Sequence, residues 1–285
     1  MNITIVSGSR ADWGLLEWPI KTLQEDTYFA GQILKVWGKS FDLAFLEASQ
    51  SFLAERPDIV LVLGDRFEIL AVSTAAHLLR VPIAHIGGGD VTEGSYDDAM
   101  RDCISRMASI HFVTSTSAMA RLSHMGLRNV HLVGNPGVDY IRHADWRGPR
   151  PYIEPYVVVS YQPETLDGVN HIEEIIATLP AGKFPLFILP NPDRGSAEIT
   201  ERIKRYQLEA HMACGITEYM PHKEFLNVLS HCDEFIGNSS AMLYEAPELE
   251  IKTRMIGKRQ RGRTIPWGDG FASERIAKVL KYASL

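Results

Sequence analysis

The sequence predicts an α/β protein built from two doubly wound, Rossmann-like halves. Short apolar, β-branched runs alternate with longer segments whose apolar residues recur at helical spacing, such as Leu70–Leu79 and Ala99–Met107. Strands that are apolar throughout and separated by helices are typical of a parallel sheet covered on both faces. A stretch rich in proline and charge at 142–155 interrupts the alternation. Its composition is that of a linker, and it predicts a domain boundary.

Strand candidates occur on both sides of this linker. Those of the first half are Ile3–Ser7, Gln32–Trp37, Ile59–Leu63, Pro82–Ile86, Ile110–Thr114 and Val130–Val133. Those of the second half are Tyr156–Tyr161, Pro185–Leu189, Glu234–Gly237 and Thr253–Gly257, with helices expected at Ala197–Glu209, at His222–His231, after Asn238 and at Ser273–Tyr282. A serine cap is expected to open the last helix. We therefore predict an N-terminal domain over 1–145, a C-terminal domain over 146–272, and a helix over 273–285 that packs back on the N-terminal domain.

Composition excludes several classes of protein. The 285 residues are 45% hydrophobic and 22% charged, which suffices for the cores of two ordinary domains. No apolar run approaches the roughly 20 residues of a membrane span, and the N-terminal segment lacks the basic region of a secretory signal. Cys103, Cys214 and Cys232 form no CxxC pair and favour free thiols in a reducing cytoplasm. The net charge of −6 argues against a large nucleic-acid-binding face.

Three carboxylates follow predicted strands. Ligands of open α/β sheets bind beyond the carboxyl ends of the strands. Asp65 and Asp90 follow the third and fourth strands, and Asp98 comes shortly afterwards. Like charges held close raise one another's pKa, which suits general acid and base catalysis. Each residue alone has an ordinary explanation, because Asp97 or Asp98 would cap a helix and Asp65 would hold a turn. Three together favour a site.

Two turns and one basic run are candidates for binding an anion. Gly8–Gly14 follows the first strand, and Gly237–Ser240 precedes a helix predicted over Ala241–Ala246. Amides at a helix start bind phosphate, although small hydroxyl residues there are also ordinary caps. The basic run Lys258–Arg263 follows the next strand. As a solvated loop it would have no role, but arginine forks pair well with phosphate, so an anionic small molecule suits it.

Seven short segments occur in an order that is hard to obtain by chance. They are GSRADWG (Gly8–Gly14), GDRFE (Gly64–Glu68), HIGGGD (His85–Asp90), DDAMR (Asp97–Arg101), GNPGVD (Gly134–Asp139), GNSSAMLYEAP (Gly237–Pro247) and GKRQRGR (Gly257–Arg263). Together they resemble the UDP-N-acetylglucosamine 2-epimerase family, especially its hydrolysing branch in sialic-acid biosynthesis, over nearly the whole chain. The resemblance implies a GT-B-like fold of two Rossmann domains, an active site in the cleft between them, and a homodimer.

The resemblance also implies roles for individual residues. Asp65, Asp90 and Asp98 match an acidic trio proposed to move protons at the sugar C2 and C3. The UDP-sugar-binding residues that it implies are Arg10, Asn191, Gly237, Asn238, Ser239, Ser240, Glu245, Arg259, Gln260 and Arg263. In the hydrolysing branch, UDP is eliminated across C1–C2, and water then adds to the glycal with inversion at C2. The products are UDP and N-acetylmannosamine.

Two departures from the family pattern concern the sugar end. The family carries a histidine where this chain has Gln162, which donates a hydrogen bond but cannot exchange a proton near neutral pH. Gln162 is assigned to the catalytic set, and Glu164 and His171 are candidate substitutes, although we expect both on a solvated loop or helix start. In addition, almost nothing separates Gly38 from the helix of Phe41–Glu55, where the family has extra helical structure over the sugar.

Three functions remain open at this point. The first is a hydrolysing epimerase, and the second is a GT-B-like glycosyltransferase, which the missing histidine and the shortened cover favour. The third is a nucleotide-sugar-binding protein without turnover, although such a protein would avoid carboxylates facing a diphosphate. An NAD-dependent oxidoreductase is excluded because the first turn is not GxGxxG. The spacing of His85, His111, His222 and His231 does not suit metal ligands, and we expect no cofactor.

Overall fold

The chain divides into two compact units in the computed structural model, which describes residues 1–94, 96–191, 193–209 and 214–283. Unit 1 comprises Met1–Val91, Asp97–Ala144 and Thr264–Leu285, and unit 2 comprises Thr92–Tyr96 and Asp145–Arg263. The return to unit 1 thus comes at Thr264, earlier than the predicted end of the C-terminal domain at 272. Within the described ranges, none of the helices is long and apolar enough to cross a membrane.

Unit 1 contains a six-stranded parallel sheet in the order β2-β1-β3-β4-β5-β6. Its strands are β1 (Asn2–Ser7), β2 (Ala30–Lys35), β3 (Ile59–Leu63), β4 (Ile83–Ile86), β5 (Ile110–Val113) and β6 (Val130–Leu132). The helices are α1 (Arg10–Glu25), α2 (Phe41–Ala54), α3 (Phe67–Leu78), α4 (Asp98–Met107), α5 (Thr116–His124) and α6 (Pro136–His143). Every residue of β3 is buried, as expected for a central strand covered on both faces.

Unit 2 contains a five-stranded parallel sheet in the order β11-β10-β7-β8-β9. Its strands are β7 (Tyr156–Ser160), β8 (Phe184–Ile188), β9 (Gly215–Thr217), β10 (Glu234–Gly237) and β11 (Thr253–Met255). Its helices are α7 (Ile172–Ala177), α8 (Ser196–Glu209), α9 (His222–Ser230) and α10 (Glu245–Glu248), with a 3₁₀ turn at Ser240–Met242. Two parallel sheets flanked by helices confirm the predicted pair of Rossmann-like domains.

The helix predicted over Ala241–Ala246 is wrong. The chain there forms only the 3₁₀ turn and, after Tyr244, the four-residue helix α10. Proline lacks an N–H and fits only the first turn of a helix. Pro247 therefore requires a helix to begin close before it, at Glu245, and a helix running from Ala241 would place it too far inside.

The last helix, α11 (Ala272–Tyr282), packs on unit 1. Its Ile276 and Leu280 are fully buried in the core beside β1 and β3, and each contributes roughly 2–3 kcal/mol. The predicted serine cap is wrong, because Phe271 is the N-cap and Ser273 is buried. The N–H and the hydroxyl of Ser273 donate to Asp139 Oδ2 of α6 at 2.6 and 2.7 Å. A carboxylate from another helix therefore satisfies this helix start.

Candidate active site

A buried arginine links the three segments that carry the predicted carboxylates of unit 1. Arg101 on α4 is 2% exposed. Its guanidinium donates to the carboxylates of Asp65 and Asp98, and to the main-chain carbonyl of Asp90 at 2.6 Å. The hydroxyl of Thr114 donates to Asp90 Oδ1 at 2.9 Å. The exits of β3, β4 and β5 and the start of α4 thus meet at one cluster, which we call the Arg101 cluster.

Arg101 is the main site residue that sequence reasoning missed. The expectation for the trio considered only like charges, whereas the structure adds a cation that contacts two of the carboxylates. A buried guanidinium is costly unless it is paired and hydrogen-bonded, and here the aspartates supply the partners. Asp97 takes the N-cap position of α4, as the capping alternative expected, but its side chain makes no cap hydrogen bond. The spacing of Asp98 and Arg101 at i and i+3 was the available signal.

A buried histidine ties the parts of this cluster together. His85 Nε2 lies 2.8 Å from the carbonyl of Gly64, and Nδ1 lies 3.1 Å from the hydroxyl of Ser105 on α4. Because a carbonyl can only accept, Nε2 carries the proton and Nδ1 accepts from Ser105. Burial lowers the pKa of His85 to about 4, so the ring is neutral at neutral pH. It links the turn before Asp65 to the helix that carries Asp98 and Arg101.

The first turn of unit 1 contains a carboxyl group, that of Asp12, to which sequence reasoning assigned no role. Arg10 begins α1 and is exposed, and Ser9 caps the helix by accepting from the N–H of Asp12 at 3.1 Å. Asp12 Oδ2 is fully buried and has no hydrogen-bond partner among the described residues. Burial raises the pKa of Asp12 to about 6, against the opposing effect of the Arg66 guanidinium. A carboxyl group of this kind can hold a proton close to neutral pH.

The turn after β10 in unit 2 is built around a buried asparagine. Gly237 has a φ of +136°, and a Cβ there would lie 2.0 Å from the carbonyl of Ser160, so only glycine fits. Asn238 is fully buried, accepting from the N–H of Gln162 at 2.6 Å and donating to its carbonyl at 2.9 Å. The hydroxyl of Ser239 accepts from the N–H of Ala241 at 3.3 Å. Asn238 thereby fastens this turn to the segment that follows β7.

Gln162 has a defined orientation in that segment. Its Oε1 accepts from the main-chain N–H of Asn191 at 2.9 Å. Because that N–H can only donate, the amide oxygen must face Asn191, and the Nε2 donors are directed elsewhere. Gln162 therefore presents hydrogen-bond donors but no exchangeable acid.

The expectation that Glu164 lies on a solvated loop is wrong. Its side chain is 3% exposed, and its Oε1 accepts from the N–H of Lys258 at 2.8 Å. The environment is created by a loop 94 positions later in the chain, which local sequence cannot reveal. His171 lies at the start of α7 and is partly exposed, as expected.

The basic run forms a loop, Gly257–Arg263, that the rest of unit 2 holds in place. Arg259 Nη1 donates to the carbonyl of Pro163 at 2.5 Å, and Gln260 Nε2 donates to the carbonyl of Asn238 at 2.7 Å. Arg263 donates to the hydroxyl of Tyr244 at 2.7 Å. Gln260 Oε1 is buried and has no hydrogen-bond partner among the described residues. The loop therefore combines cationic side chains with a buried acceptor to which a ligand could donate a hydrogen bond.

Glu245 provides a second such acceptor in unit 2. The residue is 8% exposed, and its Oε2 has no hydrogen-bond partner in the described part of the chain. Its Oε1 lies 3.8 Å from His222 Nε2 at the start of α9. A buried polar atom left unpaired costs about 1–3 kcal/mol. Acceptors of this kind suit a ligand that brings its own hydroxyl or N–H donors.

Comparison with known proteins agrees with the presence of two Rossmann-like units. The fold is shared with GT-B-like nucleotide-sugar enzymes: the S. aureus MnaA-UDP co-structure superposes with a TM-score of 0.79 at 17% identity, covering 99% of this chain and 96% of that one. The sequence model described as UDP-N-acetylglucosamine 2-epimerase matches residues 32–267. The chain therefore belongs to the UDP-N-acetylglucosamine 2-epimerase family.

Two curated relatives illustrate its place in that family. The chain is 29% identical over 242 residues to the GDP/UDP-N,N'-diacetylbacillosamine 2-epimerase (hydrolyzing) of Campylobacter jejuni, with 79% of this chain and 62% of the relative covered. It is 31% identical over 221 residues to the polysialic acid biosynthesis protein P7 of Escherichia coli, with 72% and 56% covered. The matches thus span less than two thirds of the length of these two relatives.

Proposed function

We propose that this protein is a hydrolysing UDP-N-acetylhexosamine 2-epimerase, which releases UDP from a UDP-sugar and inverts the sugar C2. The observation that carries the proposal is the Arg101 cluster, in which Asp65 and Asp98 share one buried guanidinium. A protein that only binds an anionic nucleotide sugar has no need of a cluster of carboxylates. Membership of the family and the names of the relatives support the same reaction.

The residues of unit 2 are proposed to bind the nucleotide. Glu245 Oε2 and Gln260 Oε1 are the buried acceptors, and they suit the ribose hydroxyls and a sugar or base donor. Arg259 and Arg263 would pair with the phosphates, because guanidinium groups bind phosphate through paired hydrogen bonds. The remaining unit 2 members of the proposed binding set are Asn191, Gly237, Asn238, Ser239 and Ser240. Arg10, which belongs to unit 1, is the other member of the set.

The residues of unit 1 are proposed to act on the sugar of the same substrate. A carboxylate of the trio removes the C2 proton, and the C2–H electron pair forms the C1=C2 bond. The C1–O bond breaks, and its electrons leave with the UDP oxygen. Water then adds its hydroxyl to C1, and C2 receives a proton on the opposite face. General acid and base groups typically accelerate such proton transfers by about 10²–10⁴-fold.

Gln162 limits how UDP can leave in this proposal. Its oriented Nε2 group donates a hydrogen bond that stabilises negative charge on a phosphate oxygen. It supplies no proton, so the leaving group departs charged or takes its proton from another residue. The same feature favours the second candidate function, a UDP-sugar glycosyltransferase. In that reaction UDP also leaves, but the sugar C–H bonds stay intact.

An isotope experiment separates these functions. Purified protein is incubated with UDP-N-acetylglucosamine in deuterated water, and the products are followed by ¹H and ³¹P NMR. The proposal predicts free UDP and N-acetylmannosamine carrying deuterium at C2. UDP release without deuterium at C2 would indicate a transferase or a simple hydrolase. Binding without any turnover would reject the enzyme and favour a nucleotide-sugar-binding protein.

We also propose that the protein acts as a cytoplasmic homodimer that supplies sialic-acid biosynthesis. Support for self-association comes from exposed leucines of unit 1, namely Leu43, Leu46 and Leu53 of α2 and Leu78 of α3, which are 52–71% exposed. Helices α2 and α3 pack against each other, and exposed apolar side chains on neighbouring helices are typical of surfaces that contact other proteins. Light scattering after size exclusion is expected to give twice the chain mass of 31.9 kDa. A single-chain mass at micromolar concentration would contradict the dimer.

A further inference from the structure

We propose that Glu164 is a positioning residue that holds the Gly257–Arg263 loop in the conformation that binds the diphosphate. This inference rests on the proposed function, because it takes the diphosphate group of UDP as the ligand of the loop. Neither the family resemblance nor the missing histidine assigns this role to Glu164. The geometry around its carboxylate points to it.

The carboxylate of Glu164 determines how the loop begins. Its Oε1 accepts from the N–H of Lys258 at 2.8 Å. Gly257, directly before, has a φ of +79°, and a Cβ at that position would lie 1.7 Å from the same oxygen. The carboxylate thus occupies the space that a side chain at 257 would need. The absence of a side chain at Gly257 therefore leaves the space that the Glu164 carboxylate occupies.

Three successive loop residues are held by neighbouring groups of unit 2. Lys258 is held through its N–H by Glu164, Arg259 through its guanidinium by the carbonyl of Pro163, and Gln260 through its amide by the carbonyl of Asn238. The acceptors of the last two contacts are main-chain carbonyls, which a side-chain substitution at their own positions does not remove. Among the groups that hold Lys258, Arg259 and Gln260 in these three contacts, Glu164 is the one that acts through its side chain, so substituting it tests the attachment.

The charge of Glu164 distinguishes loop support from direct ligand binding. The loop contains four cationic side chains among the six residues 258–263, and these like charges repel one another. They are Lys258, Arg259, Arg261 and Arg263. A buried carboxylate beneath them offsets part of this repulsion and makes a strong hydrogen bond. The same negative charge disfavours a diphosphate nearby. A neutral glutamine that keeps the hydrogen bond should therefore bind UDP at least as well as glutamate does.

The neighbouring groups provide a matched control. His171 Nε2 lies 3.9 Å from Glu164 Oε1, and its Nδ1 lies 2.9 Å from Oε2 of Glu174. Glu174 is 55% exposed and has no contact with the loop among those described. Glu174→Gln therefore removes a carboxylate from the same surroundings without touching the attachment of Lys258.

The experiment compares Glu164→Ala, Glu164→Gln and Glu174→Gln with the wild type by two readouts. Hydrogen exchange of peptides covering 257–263 reports the loop itself, and calorimetric titration with UDP reports its ligand. Glu164→Ala is expected to speed exchange at the start of the loop and to weaken UDP by roughly tenfold, the effect of losing one hydrogen bond to a charged group. Glu164→Gln is expected to restore both, with UDP affinity equal to or above that of the wild type. Glu174→Gln is expected to match the wild type.

The two readouts also separate this inference from the function on which it rests. A Glu164→Ala variant with wild-type exchange and wild-type affinity would overturn the proposal. So would a Glu164→Gln variant as weak as Glu164→Ala, because the charge rather than the hydrogen bond would then be what matters. If the wild type binds no UDP, the proposed function fails and the diphosphate assignment is overturned with it, whatever exchange shows about the loop.

Discussion

The Arg101 cluster of unit 1 and the residues of unit 2 proposed to bind the nucleotide use their buried polar groups in opposite ways. In unit 1, the guanidinium of Arg101 is paired with carboxylates and a carbonyl of the chain itself. In unit 2, Gln260 Oε1 and Glu245 Oε2 are buried acceptors with no hydrogen-bond partner in the described residues. Charges that are paired within the chain form a cluster that is organised before any ligand binds. Buried acceptors without a donor destabilise the ligand-free protein, and a ligand that donates hydrogen bonds to them removes this cost. This contrast fits the proposed function, in which unit 1 contributes chemistry and unit 2 contributes affinity.

The strongest test of this division is Asp98→Asn. Removing a carboxylate of the Arg101 cluster is expected to lower the rate of UDP release by about 10³-fold, within the range for general acid and base groups. UDP affinity should stay within about twofold, since the nucleotide groups are unchanged. Turnover is measured by NMR and affinity by calorimetry. Asp102→Asn, on the same helix but paired with Arg121, is the control. Equal losses of turnover and affinity would contradict the division.

Arg259→Ala tests the other side of the comparison. Losing a guanidinium that pairs with phosphate should weaken UDP by roughly 10–100-fold, as for other charged hydrogen bonds. Arg261→Ala is the matched control, because Arg261 has a side chain 70% exposed and faces Glu93 at 3.7 Å. It should bind UDP as the wild type does. Similar losses in the two variants would mean that net charge alone attracts the nucleotide.

Asp12→Asn sharpens the comparison through stability. The pKa of Asp12 is raised by burial from 3.8 to about 6, so the folded state keeps a proton that the unfolded state loses. The wild type is therefore destabilised as pH rises from about 4 to about 6, and the penalty is complete above that range. Asp12→Asn should raise the free energy of unfolding by on the order of 2 kcal/mol at pH 7.5 and by much less at pH 4.5.

Urea unfolding at both pH values measures this difference. Glu25→Gln, on the same helix with a side chain 68% exposed, provides the control and should show no such dependence. An equal gain for Asp12→Asn at pH 4.5 and 7.5 would show that ionisation of this group does not govern the effect.

Gln162→His carries the smallest expected effect. A histidine Nδ1 could accept from the N–H of Asn191 as Gln162 Oε1 does, which would direct an Nε2 proton where the glutamine directs its donors. Turnover should rise by up to about tenfold and gain a pH dependence near the ordinary pKa of histidine. Gln162→Asn, too short to keep the contact, should not gain it. A pH profile unchanged from the wild type would mean that departure of UDP needs no acid in this chain.

The sequence predicted those features that depend on local pattern. Buried strands such as Ile59–Leu63 are continuous apolar runs, and Asp65, Asp90 and Asp98 follow strands whose carboxyl ends share one edge of the sheet. The short strand β9 was missed because three residues that include a glycine carry no alternation or apolar run.

Features that depend on distant contacts were missed for a different reason. Asp139 and Ser273 meet across 134 positions, and Glu164 is buried by a loop 94 positions later. The guanidinium of Arg101 is likewise paired with Asp65, 36 positions earlier. The sequence shows that these side chains are polar, but only the tertiary structure shows which of them are buried. The proposed role of Glu164 could not have been reached from its neighbours in the sequence.

Calorimetric titration of UDP into the wild-type protein measures directly whether the protein binds the nucleotide that is assigned to unit 2. One UDP is expected to bind each chain saturably, because in the proposed function the buried acceptors of Glu245 and Gln260 and the cations of Arg259 and Arg263 form its binding site. Absence of saturable heat with folded protein would contradict it, and the assignment of unit 2 to the nucleotide would have to be abandoned.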